Sequence, residues 1–365
     1  MGLPQWLQNS RRKNLLTILV LFTLMTLLLL YADFVSSAYF RRIMIGLAIS
    51  IILVVSLNLS NGFTGVFSLG HVSFMAIGAY AAAILTLPVS LKEVNLPDLP
   101  PWLADVALSF FPATLIAGGL ATIVAFLVGL SLMRLSGPYV SVATMGLLVI
   151  VQVILINWDK MTRGSRTFSG VPALTNLWWV WAWAFVVVYI VWRVKKSSFG
   201  RRMMAGRDNE IAARSLGISV FRSRLLAFCI SAFFTAVGGA LWAHFIMSFS
   251  PKSFFFAEAF NIITMLVIGG MGSVSGSIIG VVSITALSEI LRNAERGINL
   301  GVLQIPPVYG ASQILIAIIF IMVIIYRPMG LMGSNEVDFN HLLQLFKQRW
   351  SKLLSRKLDK KGKEV

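Results

Sequence analysis

Apolar runs long enough to cross a bilayer recur from one end of this chain to the other. They lie at residues 15–32, 43–60, 72–87, 112–132, 140–156, 177–194, 225–247, 259–270, 277–291 and 311–326. A membrane helix needs about 20 predominantly apolar residues; several runs reach that length and the others fall short by a turn or two. A membrane barrel would instead show alternating strands of about 10 residues, and none is visible. Composition agrees. Of 365 residues 57% are hydrophobic and 12% charged, where a soluble domain carries about 25% charged residues. The sequence predicts an all-α, polytopic membrane protein of about ten transmembrane helices.

The placement of charge predicts the orientation. The net charge of +17 gathers at the ends of apolar runs rather than on one continuous surface, which argues against nucleic acid as a partner. Residues 195–224 hold eight Lys/Arg and two acids. So charged a segment stays in water, and the positive-inside rule puts it in the cytoplasm. Counted this way, cytoplasmic segments carry 21 Lys/Arg and outer loops 8, with both termini inside. Loop 88–111 contains Pro88, Pro97, Pro100 and Pro101 and a net charge of −2, which suits the outer face. Trp178, Trp179, Trp181 and Trp183 place the start of run 177–194 at headgroup level. Arg11, Arg12 and Lys13 precede run 15–32, which is long for a signal peptide and reads as a retained signal anchor. Past Asn335, Leu342, Phe346, Trp350, Leu353 and Leu354 recur at helical spacing among basic residues. This tail is either an amphipathic helix on membrane lipid or a solvated segment.

Little in the chain is equipped for covalent chemistry. Nothing matches GxxxxGK[ST], so ATP is not bound through a P-loop. Cys229 is the single cysteine, and His71, His244 and His341 lie far apart, leaving no metal-ligand spacing. The ionisable residues inside apolar runs are His71, His244, Glu258, Glu289 and Arg292. Intramembrane charge marks function by default. Glu289 and Arg292, however, are three apart and can pair on one helix face, and a hydrogen-bonded core histidine is the plainer account of His71.

Two glycine-rich interruptions are more telling. One holds Gly62, Gly65, Ser68, Gly70 and His71; the other holds Gly269, Gly270, Gly272 and Gly276. Irregular backbone at membrane depth has to be enclosed in protein or line a cavity. Paired interruptions point to a translocation path or its gates, with close helix packing through small residues as the competing account. A third feature lies within residues 198–217. Asp208 or Asn209 can cap a helix, Glu210 sits in its first turn, Arg214 near its last, and Gly217 stops it. A helix of about two turns does not persist alone in water, so something holds it.

Together these segments resemble the permease subunit of branched-chain amino-acid ABC importers, the LivM type. Residues 61–80 are similar to the family's G-x-x-G-x-x-S-L-G-H-x-x-F-x-x-I-G-A-Y segment, and residues 269–280 to its G-G-x-G-S-x-x-G-x-x-x-G segment. Ala205, Gly206, Arg207, Asp208, Glu210, Ala212, Ala213 and Gly217 are similar to its EAA-x3-Gly loop, the short helix that docks on the ATPase. Small Ala212 and Ala213 are expected to let the partner come close. The resemblance implies the ABC importer permease fold, in the bacterial inner membrane. Its implied partners are a second permease of the LivH type, two ABC ATPase subunits that bind the ATP, and a substrate-binding protein. It implies no enzyme activity and no cofactor in this chain. The expected organisation is a signal-anchor lead-in (1–42), a permease domain (43–327) with its coupling loop at 195–224, and a basic tail (328–365). Leucine, isoleucine and valine are the implied substrates. Arg163 and Arg166 depart from the family's T-G-G-x-x-G-I loop, and urea-type importers use closely similar permeases, so urea remains an alternative. A stand-alone secondary carrier would need buried acids that the deepest parts of the runs lack.

Overall fold

The computed structural model describes residues 26, 29–33, 37–295, 298–299, 304–305, 310–327, 329–333 and 336. Run 15–32 lies mostly outside them, and the amphipathic stretch expected in the tail lies wholly outside. The helices are α1 (Ala38–Thr64), α2 (His71–Thr86), α3 (Val89–Asn95), α4 (Pro101–Ala104), α5 (Phe110–Leu132), α6 (Pro138–Asn157) and α7 (Asp159–Thr162). They continue as α8 (Leu177–Lys196), α9 (Ser198–Asp208), α10 (Glu210–Ser215), α11 (Val220–Ile246), α12 (Phe256–Gly269), α13 (Val274–Glu295) and α14 (Ala311–Tyr326). A two-residue hairpin, β1 (Ile298–Asn299) with β2 (Gln304–Ile305), sits before α14.

Each apolar run from 43–60 onward is a helix. Among the described residues seven helices are long and apolar enough to span a membrane, or eight if the bent pair α2 and α3 forms one span. The pair expected at 259–270 and 277–291 is α12 and α13. Residues 61–64, expected in the first interruption, instead extend α1, so the irregular stretch is only 65–70.

The core is built from small residues. Ala82 of α2, Ala117 of α5 and Ala240 of α11 meet fully buried, which brings three helix backbones close together. α1 and α11 are the most enclosed spans and α5 the least. Several polar groups in this core pair with one another, while Ser73 Oγ, Tyr80 OH and Thr235 Oγ1 are buried without a hydrogen-bond partner among the described residues. Ser231 Oγ donates to the Ser56 carbonyl at 2.5 Å, so it accepts from His71 Nε2 at 2.8 Å; His71 Nδ1 then accepts from Ser68 Oγ at 3.0 Å. Thr86 and His244 pair at 2.7 Å. Glu289 and Arg292 form the expected pair at 2.6 Å.

The connections gather at two ends. At one, Asn95 donates to the Ser169 carbonyl, and Phe168 exchanges backbone hydrogen bonds with Phe249; loops 88–109, 158–176 and 247–255 therefore lie together. Lys92 donates to the carbonyls of Leu103 and Val106. Burial pushes its ammonium below the usual lysine range, with Asp105 opposing. At the other end, Ser141 Oγ donates to the Phe67 carbonyl, and Arg134 lies 5.7 Å from the Phe221 ring.

Candidate functional site: a basic loop braced against two interrupted helices

Residues 197–217 fold as two consecutive capped helices. Ser197 Oγ accepts from the Gly200 N–H at 3.2 Å to start α9, and Asn209 Oδ1 accepts from the Ala212 N–H at 3.0 Å to start α10. Asp208 is left to pair with Arg207 at 2.8 Å. The Glu210 carboxylate binds Arg214 at 2.5 Å and Arg224 at 2.9 Å, which ties α10 to α11. At the C-terminal end the N–H groups of Gly217 and Ile218 donate to the carbonyls of Arg214 and Ala213 at 2.9 and 3.0 Å. This is a Schellman turn, and it needs the left-handed backbone that Gly217 adopts at φ +75°. Of the two alanines expected to admit a partner, only Ala212 is on the open face. Ala213 is 3% exposed and packs on the chain itself, whereas Ile211 and Leu216 are each 79% exposed.

The three features singled out in the sequence meet in space. Arg207 Nη1 donates to the Gly62 carbonyl at 2.9 Å, and its Cγ lies so close to Gly65 that a Cβ there would come within 2.6 Å. Lys195 Nζ donates to the Gly272 carbonyl at 2.6 Å. Gly62 is in the last turn of α1, and Gly272 lies just past the end of α12. Helix C-termini carry partial negative charge and carbonyls without intrahelical partners, so Arg207 sits where α1 presents that charge, while Lys195 holds a carbonyl of the turn between α12 and α13. The two interruptions also touch each other. A Cβ on Gly62 would lie 2.5 Å from the Gly272 nitrogen, and Asn58 bridges them. Its Oδ1 accepts from the Gly272 N–H at 2.9 Å, while its Nδ2 donates to the Ser273 carbonyl and Ser277 Oγ, both at 2.8 Å. A cleft of about 380 Å³ opens here between Gly65, Phe67, Arg207, Met271 and Met329.

The remaining candidates divide between lining and support. Gly269 and Gly276 let α12 and α13 cross backbone to backbone, and Gly270 lies against Gly333. Ser68, Gly70 and His71 are buried inside the chain, and Ser68 and His71 belong to the core hydrogen-bond chain described above. Ala205 and Gly206 are in the last turns of α9, with Gly206 against the Val220 side chain. Asn58 and Lys195 were missed as site residues. The only signal for Asn58 was an amide inside an apolar run, and for Lys195 its place at the end of a span. Arg163, which departs from the family pattern, donates to the Thr167 carbonyl and Ser169 Oγ and so shapes its own loop.

A multi-pass helical membrane protein whose basic two-helix loop is braced against paired interrupted spans has the architecture of a transport permease. Residues 39–325 match the family described as branched-chain amino acid transport system / permease component, and the chain belongs to that family. It is a transport component, not an enzyme. It is 28% identical over 322 residues to the high-affinity branched-chain amino acid transport system permease protein LivM of Escherichia coli K12, covering 79% of this chain and 68% of that protein. It is 26% identical over 167 residues to the probable LivM of Methanocaldococcus jannaschii, covering 44% and 48%. The autoinducer 2 import system permease protein LsrC of Escherichia coli O9:H4 is 27% identical over 166 residues, covering 41% and 47%. No solved structure matches.

Proposed function

We propose that this chain is the permease subunit of an ATP-driven importer for leucine, isoleucine and valine, in a bacterial cytoplasmic membrane with both termini inside. Its partners are a LivH-type permease, with which it forms the path, two ABC ATPase subunits and a substrate-binding protein. Residues 43–327 are the permease domain, 1–42 its signal-anchor lead-in and 328–365 its basic tail. The observation that carries this is the contact of the basic loop with both interruptions. A subunit that grips α10 moves Arg207 and Lys195, and through them the ends of α1 and α12. Exposed Ile211 and Leu216 flank small Ala212, the kind of apolar face that an ATPase groove covers. Gly62, Gly65, Gly272 and the cleft beside Met271 form the gate, with Gly269, Gly270 and Gly276 as its packed hinge and Ser68, Gly70 and His71 as its support. The names of the LivM relatives favour branched-chain amino acids.

Two measurements test this. With Cys229 replaced, single cysteines at Asp98, Thr167 and Asn299 are expected to react with an impermeant maleimide on intact cells, and one at Ser215 to remain unlabelled. Outside labelling at Ser215 would reverse the orientation. In proteoliposomes with its partner subunits and binding protein, the complex is expected to accumulate leucine, isoleucine and valine in an ATP-dependent way. Uptake of urea with no response to those three would reassign the substrate.

A further inference from the structure

Two arginines of the 195–224 segment stand apart from their neighbours. Arg207, Arg214 and Arg224 pair with Asp208 or Glu210, Arg201 donates to the Lys196 carbonyl, and Lys195 to that of Gly272. Arg202 of α9 and Arg222 of α11 make no ion pair or hydrogen bond among the described residues. Both are exposed, and both line one cleft of about 420 Å³ whose walls contain no acidic residue. Two like charges facing one space repel unless an anion stands between them. The guanidinium fork matches phosphate oxygens two at a time.

The same lining also carries hydrocarbon from Phe199 and Leu226, and Leu226 is 51% exposed near the start of the α11 span. Cations next to exposed hydrocarbon at a span's end fit an amphiphile: phosphate toward the arginines, acyl chain along α11. An acidic peptide from a partner subunit would satisfy the charges and leave the hydrocarbon uncovered. We propose that this cleft binds the phosphate group of an anionic phospholipid from the adjacent leaflet. Leu216, Gly217 and Ser219 also line it, so the bound lipid braces the turn by which α10 returns to the membrane. The proposal rests on the membrane placement of α11 and not on which solute is carried.

The test uses the full-length chain purified with its partner subunits and stripped of lipid. Native mass spectrometry follows titration with dioleoyl phosphatidylglycerol, dioleoyl phosphatidylcholine or inorganic phosphate. Each basic residue near a membrane surface contributes about 1 kcal/mol toward anionic lipid, so the double variant Arg202→Gln/Arg222→Gln is expected to bind phosphatidylglycerol about 30-fold more weakly. Its phosphatidylcholine binding and melting temperature are expected to stay at wild-type values. Arg201→Gln, which removes a cation outside the cleft, is expected to change nothing. Equal phosphatidylglycerol affinity in wild type and double variant would overturn the proposal. So would displacement of that lipid by inorganic phosphate, which would assign the cleft to a free ion. Loss of ATPase recovery with lipid binding unchanged would assign the arginines to a protein surface instead.

Discussion

Gly239→Val is expected to yield no stable, monodisperse protein, while Gly119→Val and Gly146→Val behave as wild type. The three glycines all lie in membrane helices and look alike in sequence. The difference is in what a Cβ would meet. At Gly239 it would lie 2.0 Å from the Met75 carbonyl oxygen, and at Gly78, on the facing helix, 2.1 Å from that of Ala236. At Gly119 and Gly146 it would meet nothing within 4 Å. A flexible side chain can yield to an intruding methyl, but a carbonyl in a regular helix cannot without moving the helix. α2 would have to part from α11, and the seal around Ala82, Ala117 and Ala240 would open with it. Overpacking in a well-packed core costs about 1–3 kcal/mol; forced separation of two backbones belongs at or above the top of that range. The measurement is the monodisperse fraction and melting temperature of detergent-purified protein. A Gly239→Val protein that melted with the wild type would show that α2 and α11 do not cross there.

The same seam shows where a sequence is legible and where it stops. The apolar runs place each described span to within a few residues, because a bilayer demands length and hydrophobicity and those are local properties. The Gly217 stop is readable for the same reason, and so is a cap at Asp208 or Asn209, of which the structure uses Asn209: each acts within one turn of its own helix. α9 was not readable. Ser198–Asp208 is polar and contains Gly200 and Gly206, which normally disfavour helix. In the structure Gly200 lies against the Val194 and Lys195 carbonyls and Gly206 against Val220, so both are glycines for closeness rather than for flexibility. Gly62 reads as part of an interruption on composition and is helical; it is glycine because Asn58 Oδ1 and the Gly272 nitrogen occupy the place of a side chain. Asn58 and Lys195 act on partners 214 and 77 residues away, and no local pattern announces such pairs. The glycine-rich motifs revealed where the interruptions lie, but not that they touch one another.

Those distant pairs set the largest expected effect on transport. The double variant Lys195→Met/Arg207→Leu is expected to assemble with its partner subunits and hydrolyse ATP, yet lose at least nine-tenths of its substrate uptake. Lys195 precedes α9 and Arg207 lies near its end, so between them they fix the helix that leads into α10. Each donates a charge-assisted hydrogen bond to a carbonyl at the end of an interrupted span. Such bonds contribute about 1.5–3 kcal/mol, so removing both weakens the link between loop and gate by several kcal/mol in all. Since about 1.4 kcal/mol is a factor of ten, motion of α10 would then leave α1 and α12 behind in nearly every cycle. The substitutions spare Ile211, Ala212 and Leu216, so the docking face survives and the ATPase subunits still co-purify. Substrate affinity of the isolated binding protein cannot change. Lys195→Arg and Arg207→Lys preserve a donor and are expected to recover part of the uptake, which loss of the hydrophobic stems alone would not explain. ATP hydrolysis and solute uptake are measured on the same proteoliposomes, because the ratio of the two reports coupling directly. If the double variant kept both that ratio and its uptake rate, movement would have to reach the gate through α8 and α11, and the two cations would serve only to neutralise helix ends.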